Sequence, residues 1–335
     1  MESRGAVLVT GASGSVGFNI ARCLREALPE VLIVTGCVMP LGPCFLSPIV
    51  DVRYVLPRFD KDPVQHIQRL RDLVLRYRID SIIPGSDADV ALLSLYRDVL
   101  ADTSARFLVP SHASVEIAND KCKTYQFAAA NDIPQPLYVI IDPSNPDTGA
   151  LDRLAGKLMV VKDRTTYTSI VPNSRAAVEI AVWIGDLLGE SVVVQEYIPG
   201  REISTLSLVD AGGCILQTIA LCKLLTDKDG ETREAITVDA PEVIALSERI
   251  IGLLGWIGPI EVEWRVSAET GRPLLQEINS RFPAWVYITC ATGTNLVWAY
   301  RQLLLDKDPG PLPPYRRGVA FSRIPHDCVV AMDPF

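Results

Sequence analysis

The 335-residue sequence predicts an α/β protein, with a doubly wound parallel-sheet domain over residues 1–114 and a two-lobed α+β region over residues 115–190 and 191–335. Two observations carry this. Up to residue 114, short β-branched runs alternate with helical patterns, the signature of a parallel sheet with helices on its faces. Beyond Ser114, strands come in runs mixed with only a few helices, and Pro/Gly turn signals separate them.

In chain order, AVLVT opens as a strand and leads through Gly11, Gly14 and Gly17 into a helix that runs through Arg22 to Leu28. VLIVT, DVRYV, SIIP and RFLVP read as further strands, and helices are expected around Val64 to Tyr77 and from Asp87 to Val99. Ser114 to Asn131 reads as one helix stopped by DIPQP, followed by strands LYVII and LMVVK and a helix from Arg175 to Leu188. SVVVQEYIPG and REISTLSLVD read as a strand pair turning at Pro199-Gly200. CILQTIALCK, a polar loop TDKDGETRE, a helix from Pro241 to Leu254 and a hairpin EVEWRVSAETGRPLLQEIN complete the pattern.

Composition is that of an ordinary globular chain, 48% apolar and 21% charged. A net charge of -8 and the lack of any Lys/Arg cluster argue against nucleic acid or an anionic membrane as partner. The start, MESRGAVLVTGASG, has no basic segment leading into a long apolar one, so the expected location is cytoplasmic. Eight Cys without a C-x-x-C pair, beside three His, predict buried reduced thiols rather than a metal cluster or disulfides.

VTGASGSVG sits between a strand and a helix, where glycines permit a tight turn and a helix N-terminus can hold phosphate. A nicotinamide-dependent oxidoreductase or epimerase is therefore one reading. Against it, VLIVTGC ends without the acid that holds an adenosine ribose, and no Tyr is followed four residues later by Lys. The other reading is that these glycines serve only to pack the first helix on its strand.

The strongest pattern is the late hairpin. Val262, Trp264 and Val266 alternate with Glu261, Glu263 and Arg265, the period of a half-buried strand. On the returning arm the same period groups Glu277, Asn279 and Arg281 on one side, and Leu274, Gln276 and Ile278 on the other. A loop Glu269-Thr270-Gly271 sets Glu263 opposite Glu277. Two facing carboxylates repel unless a cation stands between them, and Mg2+ takes one or two carboxylates together with phosphate oxygens. Asn279 can add a neutral oxygen, and Arg281 a planar fork for a terminal phosphate. A solvated face on which Glu277 and Arg281 merely pair is the alternative.

The order G-P-I-E-V-E, fourteen residues from Glu263 to Glu277, then E-I-N-S-R, resembles the metal-binding hairpin of ATP-grasp enzymes, above all the large subunit of carbamoyl phosphate synthetase. That resemblance implies a Rossmann-like domain preceding two ATP-grasp lobes, with ATP and Mg2+ as cofactors and Mn2+ as a substitute ion. It makes Glu263, Glu277 and Asn279 metal ligands and Arg281 a phosphate contact. NDKCKTYQFAAANDIPQP resembles the family's Asp-Lys helix, giving Lys121 to ATP phosphate, and LMVVK the strand whose lysine, Lys162, reaches the phosphates from the other lobe. QEYIPGRE resembles the adenine hinge: the backbone of Glu196, Tyr197 and Ile198 meets the adenine edge and Glu202 the ribose. Lys223 falls where many members carry another phosphate contact.

One departure stands out: the phosphate-covering loop of the family is glycine-rich, whereas DRTTYTSIV has no glycine. Either the hydroxyls of Thr165, Thr166, Thr168 and Ser169 take over part of its role, or the loop grips ATP weakly. By resemblance the activity is carboxylate activation through an acylphosphate, then capture by an amine or related nucleophile, with Arg281 and Lys223 stabilising the transferred phosphoryl group. Phe282-Pro283-Ala284-Trp285 is expected to shape the acceptor side of the pocket. Small-molecule or peptide carboxylates and amines are the expected partners, and a homodimer the expected assembly. A non-catalytic nucleotide-binding relative is the remaining alternative.

Overall fold

A computed structural model describes residues 5–39, 42, 47–144, 148–163, 168–227 and 230–323. The first unit has parallel strands β1 (Ala6–Val9), β2 (Leu32–Cys37), β3 (Val52–Val55) and β4 (Ser81–Ile83) in the order β3-β2-β1-β4. Helices α1 (Ser15–Ala27) and α2 (Pro63–Tyr77) connect β1 to β2 and β3 to β4, and α3 (Asp87–Leu95) follows β4. β1 is buried on both faces: Val7 and Val9 pack toward α1, Ala6 and Leu8 toward α2, which is why its sequence is a continuous apolar run. α2 starts where the Asp62 side chain accepts from the Gln65 N–H and Pro63 fixes the first turn, and α3 starts on Ser86, which accepts from the Asp89 N–H. RFLVP, expected as a strand, forms only a single bridge from Arg106 to Ser81; beyond it the Leu108 N–H donates to the Tyr300 hydroxyl, which donates back to the Leu108 carbonyl, in place of a ladder.

The helix expected from Ser114 to Asn131 is two helices, α4 (His112–Asn119) and α5 (Lys121–Ala130). Asp120 between them takes an extended conformation, and its carboxylate accepts from the N–H groups of Cys122 and Lys123. A capping aspartate thus outcompetes helix continuity.

Two further sheets follow. The smaller has the order β5-β8-β6-β7, from β5 (Tyr138–Ile141), β6 (Met159–Lys162), β7 (Thr168–Val171) and β8 (Val192–Glu196), covered by α6 (Ser174–Leu188). The larger is six-stranded, β13-β12-β9-β10-β11-β14, from β9 (Gly200–Val209), β10 (Ile215–Thr226), β11 (Thr232–Thr237), β12 (Gly258–Ser267), β13 (Pro273–Asn279) and β14 (Ala320–Ser322), backed by α7 (Pro241–Leu254). The expected pairing of SVVVQEYIPG with REISTLSLVD does not form. β8 joins the small sheet and β9 the large one, so Pro199-Gly200 carries the chain from lobe to lobe rather than turning a hairpin.

The larger sheet places the site. On one face Ile203, Val262, Trp264 and Ile278 pack against α7. On the other, the character changes halfway along the strands. Leu206, Leu208, Ile219 and Leu221 share a core with Val7, Val9, Phe282 and α8 (Leu296–Leu304), whereas Glu202, Lys223, Glu261 and Glu263 occupy the end beyond the apolar half. The apolar half is roofed by the first unit, and the polar half is left to the small lobe. Among the described residues no helix is long and apolar enough to cross a membrane.

Candidate active site

In the hairpin β12–β13 Gly271 turns with φ +70°, and Glu263 is the register partner of Glu277, Glu261 that of Asn279, although the loop is the four residues from Ala268 to Gly271 rather than three. One detail differs. The register shifts between Glu263 and Trp264, so that Trp264 faces Leu275 and Gln276 is an extra residue. Leu275, not Leu274 or Gln276, therefore joins Ile278 in the core. The bulge turns Gln276 toward the small lobe, where its Oε1 accepts from Gln195 Nε2 at 3.1 Å and its carbonyl from Lys162 Nζ at 3.4 Å.

Each hairpin carboxylate meets a buried lysine. Lys223 Nζ donates to Glu263 Oε2 at 2.7 Å, and Lys121 Nζ lies 3.6 Å from Glu277 Oε2. Lys223 is also 3.6 Å from Glu202, which pairs with Arg265 at 2.5 Å. Lys162 ends β6 and is buried against the bulge. These lysines start from three elements, α5, β6 and β10, and converge because those elements meet over the polar half of the large sheet.

Burial would pull Lys223 down, but the charges of Glu263, Glu261 and Glu202 outweigh it and hold the amine protonated. Burial would likewise raise Glu263, yet the charge and hydrogen bond of Lys223 keep it below its ordinary value. Lys162 has weaker compensation: burial brings it down to about 8.

Arg281 is the second anchor. Its Nη1 donates to Glu261 Oε2 at 3.0 Å, its Nη2 to Asn279 Oδ1 at 3.0 Å, and its Nε lies 3.3 Å from Asp87 Oδ2. Asp87, at the start of α3, also accepts from the Ser280 N–H and hydroxyl at 2.9 and 3.0 Å. Glu261 is buried and accepts from Ser204 Oγ at 2.6 Å and Trp285 Nε1 at 2.7 Å. Burial, with the charge of Glu263, raises the Glu261 carboxyl. Asp87 and Glu261 thus fix the guanidinium, and neither was assigned a role from sequence. Glu261 shares its face with Glu263, a signal that was available. Asp87 gives none, because Ser280 lies 193 residues away.

Phe282 and Trp285 lie in the core. Phe282 is fully buried edge-on against Tyr300, and Trp285 is tied to Glu261. Of the hinge, the N–H groups of Glu196 and Tyr197 already donate to Leu137 and Leu158 carbonyls, and the Glu196 carboxylate accepts from the Leu137 N–H and pairs with Lys157. Thr165 and Thr166 lie outside the described residues; Thr168 and Ser169 belong to β7.

The donors present suit a hard divalent ion in part. Among the described residues no group of three or more His, Cys, Asp and Glu side chains is arranged to hold a metal. Two facing carboxylates and an amide oxygen form an incomplete oxygen set, of the kind that nucleotide phosphates and water complete.

The glycine turn of the first unit packs closely. A Cβ on Gly17 would stand 2.8 Å from the Ala12 Cα, and Gly11 has φ +59°. Its helix is stitched to the rest by Ser15, which donates to Glu231, and Asn19, which donates to the Ala284 carbonyl.

A parallel-sheet unit, a small antiparallel lobe and a large antiparallel lobe closing on opposed carboxylates and lysines make up the ATP-grasp fold. Residues 189–326 match the family model described as ATP-grasp in the biosynthetic pathway with Ter operon. The structure resembles N5-carboxyaminoimidazole ribonucleotide synthetase in its ADP complex, at 15% identity and a TM-score of 0.71, covering 92% of this chain and 80% of that one. It resembles the L-amino acid ligase from Bacillus licheniformis at 15% identity and 0.69, covering 94% and 78%. The biotin carboxylase domain of 2-oxoglutarate carboxylase from Hydrogenobacter thermophilus, crystallised with MgADP and bicarbonate, matches at 15% and 0.69, covering 93% and 72%. At these identities the likeness is one of fold. No curated protein sequence matches the chain.

Proposed function

We propose that the chain is an ATP-dependent ligase that joins a carboxylate to an amine or related nucleophile through an acylphosphate. The observation that carries this is the pair Glu263 and Glu277, opposed across a hairpin and each met by a buried lysine, on a fold shared with two synthetases or ligases and a carboxylase domain. In this reading residues 1–114, 115–190 and 191–335 act as the preceding domain and the two nucleotide-closing lobes.

Glu263, Glu277 and Asn279 would hold Mg2+, or Mn2+ in its place; the ion supplies charge neutralisation at the phosphates. Lys121 and Lys223 exchange their carboxylate partners, and Lys162 its carbonyl partner, for phosphate oxygens, and Glu202 and the backbone at Ile198 take the nucleoside. A substrate carboxylate oxygen attacks the γ-phosphorus, the bond to the β-bridging oxygen breaks, and ADP leaves. The nucleophile's lone pair then attacks the acyl carbon, phosphate departs, and a proton passes to solvent. Arg281, held flat by Asp87 and Glu261, stabilises charge on the transferring group, and positioning with electrostatics is what such transfer needs.

Screening carboxylate and amine libraries for ADP release, with Glu277→Gln as control, tests the reading. Activity of the intact chain and none from the variant is expected. Saturable NADPH binding without ATP binding would overturn it in favour of an oxidoreductase.

A further inference from the structure

The first unit holds a cavity that this reading leaves unused. It measures about 320 Å3, at the lower end of small-molecule sites. It opens at the carboxyl edge of the parallel sheet, between the turn after β1, the end of β2, and the segments after β3 and β4, where ligands of open α/β sheets bind. Its walls include Gly14, Cys37, Leu56 and Phe59, and its inner end His66 and Asp89.

His66 is the informative residue. Its side chain is 1% exposed, and Nδ1 lies 2.8 Å from the Pro57 carbonyl. A carbonyl only accepts, so Nδ1 carries the proton, and in the neutral ring Nε2 is left with a lone pair. That Nε2 has no hydrogen-bond partner among the described residues; Asp89 Oδ1, 3.9 Å away, is beyond hydrogen-bond range. Asp89 itself is engaged by Ser86 Oγ at 2.5 Å. Buried polar atoms are almost always satisfied, so an orphaned acceptor on a cavity wall marks the place of a donor.

The remaining walls define what brings it. Among the described residues no Lys or Arg lines the cavity, so a phosphate finds no cationic side chain there. A dinucleotide is excluded by size and by the absence of an acid at the end of β2. Phe59 stands edge-on to His66, with centroids 6.0 Å apart, and Leu56 lines the same cavity. The geometry points to a binding site for a small neutral aromatic compound that donates an O–H or N–H to His66 Nε2 and packs its ring on Leu56 and Phe59. This site stands apart from the ligase reading.

The test is nuclear magnetic resonance of the full-length chain with isotope-labelled histidine, of which there are three, the His66 signal being assigned with His66→Gln. Phenol, indole and inorganic phosphate are the probes. Phenol and indole should shift the His66 ring signals saturably, with Kd of about 1 mM for compounds of this size, and phosphate should not. Gly14→Leu should weaken that binding at least about tenfold by filling the cavity, because Gly14 has extended backbone and open space around its Cβ position. It should leave the thermal midpoint and the other histidine signals unchanged. Failure of both rings at about tenfold above that Kd, an equal response in Gly14→Leu, or a shift with phosphate alone would each overturn the assignment.

Discussion

Lys223 Nζ stands 2.7 Å from Glu263 Oε2 with its side chain only 4% exposed. If Glu263 holds the metal ion proposed above, this amine is the charge that stands in for it. Glu263→Gln leaves that amine with Glu202, at 3.6 Å, and the charge of Glu261. A loss of about 3 kcal/mol is expected in urea unfolding with chelator present. Adding Lys223→Met to Glu263→Gln should recover most of it. A single variant as stable as the parent would show that the pair contributes nothing.

Arg281 is held from two units of the fold, by Asp87 of the first and Glu261 of the large sheet. Arg281→Lys supplies a charge but no fork, and ADP release is expected to fall about 100-fold with the circular dichroism spectrum unchanged. Asp87→Asn, which keeps an oxygen for Ser280, should lower kcat by about tenfold with the KM for ATP unaltered. A matching rise in KM would place Asp87 in nucleotide binding instead.

Burial lowers Lys162 from the ordinary lysine value of 10.5 to about 8. The unfolded chain therefore binds more protons between these values, so stability rises with pH through that window. The penalty is fully present below pH 8 and absent above 10.5. Lys162→Met should be more stable than the parent by about 3 kcal/mol at neutral pH, with the gap closing as pH approaches 10.5. Parallel stability curves for the two proteins would refute the assignment.

Gly200 begins β9 at the crossing between lobes, and a Cβ there would overlap the carbonyl of Val266 on β12. Gly200→Ala should cost about 2 kcal/mol and shift the amide signals of Gly200 and Ser267, its register partner. Unchanged stability would mean the ladder end yields freely.

Much of this was legible in the chain. The hairpin itself followed from one turn glycine and a two-residue period, and the first unit from its alternation of strand and helix; Glu263 meets Glu277 as expected because the bulge offsets a loop one residue longer. The bulge at Gln276 was not, because an extra residue leaves the local pattern intact and only the burial of Leu275 exposes it. The fates of β8 and β9 were hidden for a related reason: a Pro-Gly step ends a strand without saying which sheet the next one joins. Asp87 escaped notice because its role depends on Ser280 and Arg281, which only the folded chain brings near.

The core that Val7, Val9 and Ile20 share with Leu206, Leu221 and Phe282 has a mechanical consequence. An apolar seam continuous across two sheets cannot open without exposing both, so the block made of the first unit and the larger sheet behaves as an anvil. The flap built from β5 to β8 and α6 has an apolar core of its own and is tied to that block by hydrogen bonds from Gln195 and Lys162 to Gln276. Gentle heating should then release that flap first as a separate calorimetric transition, while everything else melts together.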